Sequence, residues 1–230
     1  MQPCATMSVP FALFAAHEER TLDLALMNAT TRHNAPHEGS FFKISRCQIE
    51  ASLRFGLAGL LVFATVAFGE RWMYRHFGLL GSYGVWTLLF IGFGGLALKR
   101  LVVQPRAKRT FWRWFSLAFF AYAAGWMASY FTLRGAPGQW LGSLVGSATL
   151  GLVLAVAFGG RNRYSRISLD LFVAHSAGYF LGEWLHHSLH GKIGMLLWGV
   201  CYGLGFGLGL ARALYFAQTA HGVSTAHTAD

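Results

Sequence analysis

The chain has 230 residues, 54% of them hydrophobic and 12% charged, with 19 Lys and Arg against 9 Asp and Glu for a formal charge of +10. Soluble domains carry about 25% charged residues, so this composition excludes an ordinary soluble domain and points to lipid. The bases gather at the ends of apolar runs and not along one solvated face, which reads as membrane topology and argues against nucleic acid as a partner.

Residues 1–50 mix both charges with Asn, Thr, His and Pro and lack a sustained apolar face. They predict a mostly disordered cytoplasmic tail, helical near 18–27. The run from Val9 to Ala16 is too short to span a bilayer and no base precedes it, so a cleaved signal peptide is not expected. Cys4 and Cys47 fall in this tail and Cys201 in an apolar run, which implies no disulfide framework.

A spanning helix needs about 20 apolar residues, because each rises about 1.5 Å through roughly 30 Å of hydrocarbon. Six segments qualify, at 53–69, 78–98, 112–133, 139–159, 168–188 and 193–216. Runs of this length without alternation favour helices over a barrel. The expected fold is therefore all-α, a six-helix transmembrane domain over 51–217 followed by a disordered tail at 218–230.

Lys and Arg stay on the cytoplasmic side. The second connection holds Lys99, Arg100, Arg106, Lys108, Arg109 and Arg113, and the fourth holds Arg161, Arg163 and Arg166, whereas the third and fifth hold only Arg134 and Lys192. Both termini are accordingly expected in the cytoplasm, with the protein in the cytoplasmic (inner) membrane and its basic loops against anionic lipid. Trp112, Trp114, Trp126, Trp140, Trp184 and Tyr130 fall near span ends, where amphipathic rings anchor at headgroups.

Sliding the chain along itself by 113 residues superposes the first two spans on the last two, with Glu70 meeting Glu183, Gly78 meeting Gly191 and Gly92-Phe93-Gly94 meeting Gly205-Phe206-Gly207. A 56-residue shift relates the last pair weakly to the middle one. Three tandem hairpins, at about 53–98, 112–159 and 168–216, are expected. Within them Gly199, Gly203 and Gly207, and likewise Ser143, Ser147 and Gly151, stand four apart on one helix face, where small residues let helices approach closely. Gly205 and Gly209 add the expectation of a bend or ligand groove. A bundle this small predicts a homo-oligomer assembled through the glycine faces.

The fifth span carries a polar stripe. Ser168, His175, Tyr179, Glu183, His186 and His190 fall within an arc of about 80° at 100° per residue. Ionisable groups in a membrane usually face a bundle interior or wet cavity, so His175, Tyr179, Glu183, His186, His190 and the repeat mate Glu70 are candidates for binding or translocation. Glu183, His186, His187 and His190, with His76 from another connection, are weaker candidates for metal, having the i, i+3 and i, i+4 spacings that aim side chains together. Asp170 lies at the depth of Arg212 and is expected to pair with it. No phosphate loop, G-x-S-x-G, H-E-x-x-H or paired C-x-x-C occurs, so no enzyme class gains residue support. The favoured reading is a small transporter or channel-like protein for protons, cations or a small solute. A redox protein holding haem or a metal ion, and a non-catalytic scaffold subunit, are the alternatives. No cofactor is favoured.

Overall fold

A computed structural model describes residues 45–103 and 105–219. They form five α-helices and no strand: α1 (Arg46–Leu98), α2 (Pro105–Leu133), α3 (Gly135–Phe158), α4 (Tyr164–Leu189) and α5 (Gly191–Thr219), with 3-10 turns at Lys99–Leu101 and Arg161–Arg163. The predicted helix at 18–27, Cys4 and the tail beyond 219 lie outside the described residues.

Three of these segments are long and apolar enough to cross a membrane, Arg46–Leu101, Gly135–Phe158 and Gly191–Thr219. α2 and α4 have comparable lengths of 29 and 26 residues but are more polar. α2 opens on Lys108, Arg109 and Arg113, and α4 carries Arg166, Asp170, His175 and Glu183.

α1 counts 53 residues, about 80 Å of helix if it ran straight. It does not run straight, because Gly78 leaves helical geometry at φ 65°, ψ −175°. The limbs 46–77 and 79–98 turn back on each other, bringing the Tyr74 ring to 5.8 Å from Trp86 and Phe55 to 6.2 Å from Phe90. Two other turns share this backbone: Arg134 between α2 and α3 (φ 52°, ψ 164°) and His190 between α4 and α5 (φ 51°, ψ 168°). The three positions are 56 residues apart. The Arg134 N–H donates to the Tyr130 carbonyl at 2.7 Å and the His190 N–H to the His186 carbonyl at 2.9 Å.

The predicted connections at 70–77, 134–138 and 189–192 are therefore too long. Helix continues through them to a single turning residue, because a backbone satisfied inside a helix has no reason to unwind where apolar side chains end. The same applies at the chain's start, where helix begins at Arg46 and not within the run from 53.

α5 lies between the first limb of α1 and α4, with glycine on both flanks. Towards α1, a Cβ at Gly203 would sit 2.7 Å from the Phe55 carbonyl oxygen, and one at Gly207 2.5 Å from the Phe55 Cβ, while Gly199 meets Phe63 and Gly59. The Ser52 hydroxyl donates across this contact to the Leu204 carbonyl at 2.7 Å. Towards α4, a Cβ at Gly205 would lie 2.8 Å from the Gly178 Cα, and one at Gly209 3.2 Å from the Ala174 Cβ. Gly205 and Gly209 thus pack against a helix and form neither a bend nor a groove, and the Gly199, Gly203 and Gly207 face packs against α1. On α3, Gly138, Gly142 and Gly146 meet Tyr130, Trp126 and Tyr122 of α2, and Gly151 meets Ser168 of α4. Asp170 and Arg212 form an ion pair at 3.3 Å, with the guanidinium also 5.6 Å from the Phe216 ring centre.

Candidate functional site

Between the helices lies a partly open cavity of about 290 Å³ whose walls are mostly aromatic. The first limb of α1 supplies Phe63, Glu70 and Tyr74, the second Tyr83, Trp86 and Phe90, α2 Phe119, Tyr122 and Trp126, α4 Tyr179, and α5 Met195, Trp198 and Tyr202. Close glycine packing outside this space is what lets the rings meet within it: Gly142 and Gly146 leave room on α3 for Trp126 and Tyr122. Glu70 is the one acid in the lining, four residues before Tyr74 and so on the same helix face. Trp86, Trp126 and Trp198 each keep a buried indole N–H without a hydrogen-bond partner.

His175 stands behind this wall. It is fully buried, with Nε2 2.6 Å from the Tyr122 hydroxyl, which in turn lies 3.1 Å from the Tyr202 hydroxyl. Its ring packs edge-on against Tyr122, Tyr202 and Phe206 at 5.4, 5.4 and 5.0 Å. Its Nδ1 has no partner among the described residues. Two phenols and an imidazole therefore form a connected polar chain inside an apolar interior, where each bond is strengthened and each unpaired atom costs roughly 1–3 kcal/mol.

The fifth-span stripe is divided by the structure. Tyr179 lines the cavity and His175 backs it, whereas Glu183 accepts a hydrogen bond from Gln139 Nε2 at 2.5 Å and is absent from the lining. His186 stacks on Trp198 at 5.5 Å with Nδ1 buried and without a partner. His187 is exposed and donates from Nδ1 to the Glu183 carbonyl, and His190 is exposed at its turn. His76 is likewise exposed and donates from Nδ1 to the Trp72 carbonyl at 2.8 Å. Among the described residues no three His, Cys, Asp or Glu side chains group to hold a metal ion, so His76, Glu183, His186, His187 and His190 do not converge. Glu70 and Glu183 have different surroundings in spite of their matching places in the sequence. Ser143 and Ser147 are fully buried, and neither hydroxyl has a partner among the described residues.

Sequence reasoning missed Tyr122, Tyr202, Trp86 and Trp198, and placed Trp126 among headgroup anchors although its ring lines the cavity. Tyr122 and Tyr202 did carry a signal, since both stand mid-span and a phenol there needs a partner. Trp140 and Trp184 are 50% and 63% exposed, as lipid-facing anchors would be. Comparison with protein-family models, curated proteins and solved structures finds no match.

Proposed function

We propose that this chain is a six-span protein of the cytoplasmic membrane that binds a small organic cation in the aromatic cavity and carries it across. The observation that carries the reading is the combination of walls rich in Trp and Tyr with one carboxylate, Glu70. Aromatic faces attract cations through the ring quadrupole, an attraction that grows when water is excluded, and a nearby carboxylate completes the charge balance. A volume of about 290 Å³ sits at the small end of the range for small-molecule sites.

The six-span, three-hairpin arrangement is supported by the three turns of like backbone at Gly78, Arg134 and His190, and by the fold-back of α1 at the first of them. The Lys and Arg distribution favours both termini in the cytoplasm.

The test is titration of purified protein in mild detergent with benzyltrimethylammonium, read by quenching of tryptophan fluorescence. Saturable quenching is expected, with affinity at least tenfold weaker in Glu70→Gln and Trp198→Leu, and weaker still for the neutral analogue neopentylbenzene. Equal binding of the neutral analogue, or no effect of Glu70→Gln, would sink the cation reading. Uptake of the same cation into proteoliposomes then separates transport from binding alone.

A further inference from the structure

We propose that the seam between α3 and α4 is a proton path through the bundle, with Nδ1 of His175 as its midpoint relay. Gln139, Ser143, Ser147 and Gly151 follow one another at four-residue intervals and so share one face of α3. Both ends of that face touch α4. Gln139 donates to Glu183 at 2.5 Å, and a Cβ at Gly151 would lie 2.5 Å from the Ser168 hydroxyl oxygen. Counted from these two fixed ends of antiparallel helices, Ser147 falls opposite 172–175 and Ser143 opposite 176–179, so the serine face of α3 runs along the stretch of α4 that holds His175, Ser176 and Tyr179.

The seam is lined by polar atoms that have no hydrogen-bond partner among the described residues. The hydroxyls of Ser143, Ser147, Ser168 and Ser176 and Nδ1 of His175 are all buried without a partner. A serine inside a helix ordinarily bonds the carbonyl four residues earlier, as Ser82, Ser129 and Ser188 do here. Ser143 and Ser147 do not. A row of such groups calls for a guest that both donates and accepts, which is water or its protonated form. From Ser168 to Glu183 the row covers about 22 Å along α4, most of the roughly 30 Å of hydrocarbon.

His175 is placed to hand a proton along this row. When its Nε2–H donates to the Tyr122 oxygen, and the Tyr122 hydroxyl donates to Tyr202, Nδ1 carries a lone pair. A protonated water gives up its O–H bond as the Nδ1–H bond forms, producing imidazolium, and a second water that replaces the first at Nδ1 takes the proton as the Nδ1–H bond breaks and the lone pair is restored. One proton enters, one leaves, and no redox change occurs. The aromatic rings packed against it are Tyr122 from α2, Tyr179 on its own helix, and Tyr202 and Phe206 from α5, none of them acidic or basic at neutral pH.

This inference rests on the membrane reading but not on the cavity's ligand. The test uses full-length protein in sodium-free liposomes containing a pH-sensitive dye, with a potassium diffusion potential set by valinomycin. Proton entry at least tenfold faster than in protein-free liposomes is expected, falling at least fivefold in His175→Gln and in the double variant Ser143→Ala, Ser147→Ala, and unchanged in Ser188→Ala. The double variant only removes atoms, so it decides the question if His175→Gln fails to fold. Entry no faster than in empty liposomes, or full flux in the double variant, would overturn the proposal. Because benzyltrimethylammonium binding is read in detergent, either reading can fail while the other stands.

Discussion

The Tyr122 hydroxyl of α2 lies 2.6 Å from Nε2 of His175 on α4, joining two helices that are not consecutive in the chain. Replacing Tyr122 by Phe keeps the ring and strips the imidazole of this partner. The expected cost is about 1–3 kcal/mol, seen as a lower Tm in detergent. Adding His175→Phe to the same protein should cost less than the two single changes summed, because the unpaired nitrogen is removed along with its partner.

Glycines in this chain divide by what surrounds them. Gly203→Val would drive a side chain into the backbone of Phe55 and Gly56, so a loss of at least 1–3 kcal/mol or failure to fold is expected. Gly69 and Gly92 have open space where a Cβ would go. Gly69→Ala and Gly92→Ala should raise stability by about 0.5–1 kcal/mol each, measured by thermal unfolding in the same detergent.

Asp170 and Arg212 are 15% and 12% exposed in their side chains, so this pair is largely withdrawn from solvent. Asp170→Asn takes the acid from a mostly buried guanidinium and should cost about 3–5 kcal/mol. The double change Asp170→Leu, Arg212→Met should recover most of that loss. If the single variant unfolds at the wild-type temperature, the pair contributes nothing.

Arg134 and His190 occupy a backbone region that glycine enters freely and other residues enter under strain. Arg134→Gly and His190→Gly should each stabilise the protein by about 1 kcal/mol. Gly78→Ala, at the corresponding turn of α1, should do the opposite by a similar amount. Circular dichroism melts of the three variants would check both signs.

The all-helical character was legible in the length of the apolar runs, and the pairing of Asp170 with Arg212 in their shared depth. The turns were placed less well, since polarity marks where lipid ends and backbone torsion marks where helix ends, and between Glu70 and Phe77 these are different places. The site was half legible. A stripe pattern finds His175 and Tyr179 because both lie on one helix, but the cavity is assembled from rings of four helices, and no single-helix periodicity relates Trp86 to Trp126 or Trp198. Aromatic residues also satisfy two descriptions at once, headgroup anchor and cavity wall, and only tertiary packing distinguishes Trp126 from Trp140.

The glycines on both flanks of α5 have a mechanical consequence. Helices that interlock through large side chains resist lengthwise displacement, because each step forces rotamers to change, whereas backbone sliding on backbone meets no such teeth. α5 meets α1 and α4 backbone to backbone at Gly203 and Gly205, but Phe55 at Gly207, Phe63 at Gly199 and Trp198 at Gly182 interlock it with both neighbours, and it carries Trp198 and Tyr202 into the cavity wall. The rings that lock α5 to its neighbours, Phe63 and Trp198, also line the cavity, so the helix seams and the cavity wall hold their shape together.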